Sequence, residues 1–455
     1  MSRILARFHA PALCAALALA ACGDKGGDPK PDGGADASSD AAADAGADAA
    51  PDGGNIVECP QAQRDFTVYD LTVMPPSYPT KTFRCVAPGR YGVVWVEESI
   101  WETEMSQAEA DAVLAAFDES TLADPARGIY ELTTSTFGEP TDVDQNGQVF
   151  LLFYRLGSYA SSEFDGFIRR EDVLGGANSN QAEILYLDGV RNDPASEYVL
   201  GVVAHEFQHL IHVAYDRDEA GWVEECLSEA AMVLGGYMGD LEAWVPSWVQ
   251  NPNRALTTEP PGFHYGAGFL FGAYLLERYG PSFMATLVEE PSNGVAGVEA
   301  ALLTAGETDD FGDLLGDWAM ANVLDAPSLA EGQWGYSSFD VPPVDSFSSV
   351  VPSSAIPITV QPHGSYVISF AVAASQGTSV AVQMTSSAWQ NLTLRWAALP
   401  QGSPHLATVG RFEPSDSTDL LTVPGLGGTV DRLIIVAVER GGVEAASAEL
   451  QTSVP

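Results

Sequence analysis

Residues 199–215 read VLGVVAHEFQHLIHVAY, and the polar residues inside this apolar run govern how the rest of the chain is read. On an α-helix, positions i and i+4 share a face about one turn apart. His205 and His209 therefore present two imidazoles on one side. Glu206 stands one step round, beside a metal held by the two His but not competing for it. Two His and a Glu buried among Val, Ala, Phe, Leu and Ile are costly unless they are satisfied. A Zn²⁺ ion satisfies them, and Glu206 is then placed to take a proton from water activated by the metal. Asp193-Pro194 predicts the helix start, with Asp as N-cap and Pro at the first helical position. The pattern then runs to about Tyr215.

HExxH supplies two protein ligands, and a catalytic zinc needs a third plus an open position. His212 shares the helix stripe but lies about 10 Å along the axis from His205. No glycine turns the chain back toward the metal, so His212 reads as a core or rim histidine. The better candidate lies in Trp222-Val223-Glu224-Glu225-Cys226-Leu227-Ser228-Glu229. Together with HEFQH, this string resembles the gluzincin superfamily of zinc peptidases, whose second helix carries a W-[LV]-N-E-G-[LF]-[AS]-E-like pattern. The resemblance implies Glu225 as the third ligand, with Glu224 its rival. The chain departs from the pattern at Glu224 and Cys226, which stand for Asn and Gly. Glu229, one turn on, is implied to hydrogen-bond and orient a ligating His.

The interval from His209 to Glu225 is shorter than in aminopeptidase N and thermolysin relatives. HEFQHLI followed by a Trp-containing Glu helix is more similar to the hyicolysin-like group of secreted bacterial gluzincins. DVDQNGQVFLLF, AEILYLDG, YGAGFLFGAYLLERYG and FGDLLGDWAMANVL also resemble proteins of that kind, so the resemblance covers roughly residues 90–325. It implies an α+β fold: a thermolysin-like zincin peptidase domain with a mixed sheet and a mainly helical lower part. It also implies a strand above the zinc that binds peptide by strand addition, a place that AEILYLDG (182–189) would fill. The oxyanion donor of aminopeptidase-type gluzincins is a Tyr in a Y-x-K-G-A-like string. His264-Tyr265-Gly266-Ala267-Gly268 is similar but lacks the Lys, leaving Tyr265 or His264 for this role. The G-x-M-E-N string that recognises a free amino terminus is absent, GGANSN at 175–180 being a faint echo. The expected activity is therefore a zinc endopeptidase acting on protein or peptide substrates. The alternative is a catalytically inactive zincin-fold surface lipoprotein that serves as a binding or adhesion module.

The ends of the chain set the compartment. Residues 1–21 read as a secretory signal, with Arg3 and Arg7 before PALCAALALA. Leu19-Ala20-Ala21-Cys22 resembles a bacterial lipobox, implying a lipid anchor on Cys22 and an extracytoplasmic, outer-membrane or cell-surface protein. Residues 22–55 carry Asp at every fourth position from 24 to 52 among Ala, Gly and Pro, a composition that reads as a disordered tether. A net charge of −42, only a small part of it in the tether, makes nucleic acid and anionic membrane poor partners. Cys59, Cys85 and Cys226 remain beyond the signal and Cys22. Exported proteins keep disulfides, and Cys59–Cys85 is the preferred pair among three possible ones.

Residues 56–335 read as the peptidase domain. Strands are expected at FTVYDL, YGVVWVEE and QVFLLFYRL, and helices at MSQAEADAVLAAFDES and roughly 221–238, 265–279, 281–289, 297–305 and 310–323. Residues 336–455 break into short alternating segments such as SYVISFAVA and RLIIVAVE, the pattern of an antiparallel β-sandwich. Asp142-Val143-Asp144-Gln145-Asn146-Gly147 resembles the first half of an EF-hand loop, but the twelfth position is Phe153, not Glu. A structural Ca²⁺ on Asp142, Asp144 and Asn146 is one reading, and an Asx-rich turn entering a strand is the other.

Overall fold

The computed structural model describes residues 58–454 apart from 74, 160–161, 261–263, 374–378, 401 and 425–429. The expected signal, Cys22 and the tether lie outside the described residues. The N-terminal half is built on β1 (Gln63–Thr67), β2 (Thr80–Pro88), β3 (Gly92–Glu97), β4 (Val149–Tyr154), the small hairpin β5 (Ser158–Tyr159) and β6 (Ser162–Glu163), β7 (Gly166–Ile168) and β8 (Ile184–Asp188). Six of these form one sheet in the order β1-β2-β3-β4-β8-β7. The pairs β3–β4 and β4–β8 are parallel and the others antiparallel. The central strand β4 is buried at every position, which explains its unbroken apolar sequence: both faces of the sheet are covered. Alternate residues divide between two cores. Phe66, Trp95, Leu152 and Tyr186 fill one, while Val94, Leu151, Phe153 and Leu187 meet the helices. The Cys59–Cys85 disulfide ties the approach to β1 onto β2.

Two expectations change here. AEILYLDG forms β8, which lies inside the sheet between β4 and β7 and is buried along its length. It has no free edge; the edge strand on this side of the sheet is β7, and β1 is the other. The helix after β8 also starts later than Asp193-Pro194. The hydroxyl of Ser196 accepts from the Val199 amide and caps it, while Asp193 accepts from Ala195 N and closes the preceding turn.

The helices are α1 (Gln107–Asp118), α2 (Ile129–Phe137), α3 (Arg170–Leu174), α4 (Glu197–Tyr215), α5 (Gly221–Gly235), α6 (Gly239–Ala243), α7 (Val245–Val249), α8 (Tyr265–Tyr279), α9 (Pro281–Glu289), α10 (Val295–Thr304) and α11 (Phe311–Leu324). Helices α4, α5 and α8 pack in series. A Cβ at Gly272 of α8 would fall 2.1 Å from the Cys226 carbonyl oxygen of α5, so glycine there permits the close approach. Between α4 and α5, buried Ser228 donates to Gln208 Oε1 at 2.6 Å and fixes their register.

The C-terminal part comprises β9 (Phe347–Val350), β10 (Ile356–Val360), β11 (Ser365–Ala371), β12 (Ser379–Thr385), β13 (Leu392–Pro400), β14 (Thr408–Phe412), β15 (Thr418–Pro424), β16 (Val430–Glu439) and β17 (Ala446–Ser453). They form two sheets, β10-β17-β12-β15 and β14-β13-β16-β11-β9. Val360, Phe370, Val382, Leu394, Ile435 and Leu450 share one core drawn from both sheets. The pattern is not wholly antiparallel, because β9 and β11 run parallel. Strand β10 belongs to the other sheet, so the chain returns to β11 in the direction of β9. Val367, Ala397, Ile434 and Val436 join the helical core that includes Phe311, Leu314 and Trp318. The chain as a whole is a mixed α/β protein with several sheets.

Candidate metal centre

Two adjacent helices bring the polar residues together. His205 and His209 project from α4 with their Nε2 atoms 3.2 Å apart. From α5, Glu225 Oε2 lies 3.4 Å from His205 Nε2 and 3.9 Å from His209 Nε2. Tetrahedral zinc with ligands near 2.0–2.1 Å requires donors about 3.3–3.5 Å apart, so the three atoms are already spaced for one ion. Glu225 Oε2 is buried and accepts no hydrogen bond from the described residues. A buried carboxylate oxygen in that state calls for a cation. On both counts the residues present fit Zn²⁺.

The two imidazoles are shifted in opposite directions. Burial pulls the His205 imidazole down, but the neighbouring carboxylates of Glu225, Glu229 and Glu206 outweigh it and hold the group well above its ordinary value. His209 moves the other way, pushed well below its ordinary value by burial and by His205.

The groups around the three donors divide by side. Glu229 Oε1 approaches His205 Nδ1 at 3.4 Å, behind the nitrogen that faces the donor set. Asp240 of α6, which sequence reasoning missed, lies against Glu229; burial and the charge of Glu229 push its carboxyl well up. A single Asp in a five-residue helix gives no sequence signal of this. Glu206 is 8% exposed. Burial lifts its carboxyl to about 7, against the pull of His205 and with smaller pushes from Glu225 and Asp165. Strand β7 passes directly beside it: a Cβ at Gly166 would sit 2.9 Å from Glu206 Cγ. The free edge of the sheet therefore runs past the carboxylate.

Tyr265, at the start of α8, turns toward the cluster, with its ring centroid 6.5 Å from that of His205 and 5.8 Å from that of Trp244. His264 packs on Trp248 at 5.6 Å and has its Nε2 3.3 Å from Ser247 Oγ. It also lines a cleft with Arg254, Gln361 and Pro362, and burial followed by Arg254 lowers its pKa to about 4. Glu224 is outside the donor set and pairs with Arg170. His212 is wholly buried, and burial drops it to about 3. Burial also raises the Cys226 thiol well above its ordinary value, so it is no nucleophile. Asp142, Asp144 and Asn146 lie in the loop entering β4 and form no part of this cluster.

No family model matches the chain. A stretch of 200 residues is 26% identical to the neutral metalloprotease ShpI of Staphylococcus hyicus, covering 38% of this chain and 45% of that protein. The chain therefore spans less than half the length of this relative. Among solved structures, an aminopeptidase A of Legionella pneumophila in complex with aspartic acid aligns with a TM-score of 0.36 and 11% identity, over 81% of this chain and 37% of that one. The pre-peptidase C-terminal domain of a Bacillus anthracis collagenase aligns over 25% of this chain and all of its own, with a TM-score of 0.19 and 9% identity.

Proposed function

We propose that the chain is a zinc-dependent endopeptidase that hydrolyses peptide bonds in proteins outside the cytoplasm. The observation that carries this reading is the spacing of His205 Nε2, His209 Nε2 and Glu225 Oε2 around one point, with Glu206 beside them. In this reading residues 56–335 are a thermolysin-like zincin of the gluzincin type, and residues 336–455 a β-sandwich accessory domain. The 26% match to a neutral metalloprotease supports a peptidase, and the Cys59–Cys85 disulfide supports an oxidising compartment. No helix among the described residues is long and apolar enough to cross a membrane.

His205, His209 and Glu225 would hold the zinc, which supplies a Lewis acid for the scissile carbonyl and lowers the pKa of water. Glu206 takes the proton of the attacking water and passes it to the leaving amine nitrogen. Its burial keeps the carboxyl ready to hold that proton between the two events. Tyr265 donates its hydroxyl to the developing oxyanion. Glu229 holds His205 in the tautomer that leaves Nε2 free to ligate. Substrate lies along β7, main chain to main chain, a place the sequence reading gave to β8. Gly166 keeps that edge close to Glu206.

Casein degradation and zinc content of the wild type and Glu206→Gln test the proposal. The variant keeps one zinc per chain and loses about 10²–10⁴-fold in activity. A wild type that binds no zinc, or equal activity in the two proteins, overturns the reading.

A further inference from the structure

A second set of donors sits where two parallel strands begin. The loop 142–148 leads into β4, and Glu183 immediately precedes β8, the strand that pairs with β4. Asp142, Asp144 and Glu183 each bring a carboxylate oxygen within 4.8 Å of the other two. Like charges at that separation repel, so acidic side chains alone give no reason for the grouping.

Glu183 supplies the reason. It is 1% exposed, and its two oxygens are treated differently. Oε1 accepts from Thr141 Oγ1 at 2.7 Å and from Val143 N at 3.0 Å, which aims the carboxylate into the loop. Oε2 is buried and accepts no hydrogen bond from the described residues. A buried carboxylate oxygen without a partner is expensive. Among the described residues no Lys or Arg stands within ion-pair distance of the three carboxylates. Arg64, whose charge reaches Asp144, lies over the Phe66 and Phe150 rings and donates to Asn180 O.

We infer that Asp142, Asp144 and Glu183 form a binding site for a hard divalent cation, Ca²⁺, that clamps the beginnings of β4 and β8 together. All the donors are oxygen, which selects against zinc and the softer metals. An irregular set of carboxylates on a turning loop suits Ca²⁺, which accepts variable geometry, better than Mg²⁺, which demands a near-ideal octahedron. The set differs from the one expected from sequence. Asn146 spends its amide on the loop, donating to Asp144 Oδ2 at 2.8 Å and accepting from Gln148 N at 2.6 Å. Glu183, far along the chain, takes the third place.

The test is a calorimetric titration of zinc-loaded, Ca²⁺-free full-length protein with CaCl₂, alongside thermal melting. The expected result is one Ca²⁺ per chain with Kd on the order of 10⁻⁴–10⁻³ M, and a midpoint raised by about 2–5 °C at 10 mM Ca²⁺. MgCl₂ at the same concentration moves it less. Asp142→Asn combined with Asp144→Asn removes the Ca²⁺-dependent rise and weakens binding at least tenfold, with zinc content unchanged. The Ca²⁺-free midpoint of that variant holds or rises, because repulsion has been relieved; a merely structural role for the two Asp would lower it. Glu183→Gln behaves likewise if it folds, and the double variant decides if it does not. No heat and no shift in the wild type, or an undiminished shift in the double variant, overturns the inference.

Discussion

Two buried charged clusters in this molecule are completed in opposite ways. Around Arg395, on β13, every guanidinium N–H group has an acceptor. Nε donates to Asp317 Oδ1 at 2.5 Å, Nη1 to Thr393 Oγ1 at 2.7 Å and to Glu413 Oε1 at 3.2 Å, and Nη2 to the Asp313 carbonyl and carboxylate. Arg411 and Arg440 extend the network to Asp309, Asp310 and Glu413. Around His205 and Glu225 the reverse holds: two imidazoles face acids whose Glu225 Oε2 and Glu229 Oε2 are left without hydrogen-bond partners among the described residues. A buried polar group left without a partner calls for an explanation, and a bound ligand is one. The first cluster joins α11 to the C-terminal sheets, and the second has the spacing of a group that could hold a metal ion.

The contrast breaks most sharply at Glu225. Glu225→Ala removes one of three donors, and activity should fall by about 10⁴-fold or more, with zinc lost on dialysis. The fold itself should persist, since the deletion relieves a buried charge. Zinc content, casein turnover and the urea midpoint of metal-free protein measure the three effects. A variant that keeps both zinc and activity would remove Glu225 from the donor set.

Arg395→Ala should show the opposite signature. The side chain has no exposure, and its loss leaves the 6%-exposed Asp317 facing a cavity. Removing one partner of a buried pair costs about 3–5 kcal/mol. Urea unfolding should record that loss, while the protein that remains folded binds zinc normally. Replacing Arg395 with Met and Asp317 with Leu together should recover part of it, because the central buried pair is removed as a unit while Arg411 keeps Asp309. A fall in zinc affinity without a fall in stability would show that the two clusters are coupled.

The same contrast explains what could be read from the chain. The donor set was legible because its residues are closely spaced and helical periodicity is short: His205, His209 and Glu225 sit on consecutive helices. The helices α5, α8, α9, α10 and α11 were legible for the same reason, within a few residues at their ends. The Arg395 network was not, since it joins residues far apart in sequence, although a lone Arg in LTLRWAAL and the i, i+4 pair Asp313 and Asp317 are faint signals of it. Strand β7 was missed because three residues are too few to show a two-residue period. Its longer neighbour β8 carried the clear strand pattern and so drew the assignment. Glu183 was hidden by distance along the chain, and Asp240 by its isolation.

Glu229 separates the two kinds of cluster most finely, because it lies beside the candidate donor set yet is not one of its three donors. Its carboxylate is 1% exposed and meets the far nitrogen of His205 at 3.4 Å. If it serves to orient and polarise the ligand, Glu229→Gln keeps an acceptor for Nδ1 but loses the charge that makes the imidazole a better donor. Zinc affinity, measured by competition with a chelator, should then fall by about 10–100-fold. If it were a structural ion-pair residue like Asp317, the same change would appear in the urea midpoint of the metal-free protein. The expectation is that the metal-free midpoint holds or rises, because Gln removes a buried charge that Asp240 faces, while chelator competition shows the loss. A drop in metal-free stability with unaltered zinc affinity would place Glu229 with the Arg395 network in kind, and would leave His205 oriented by its helix alone.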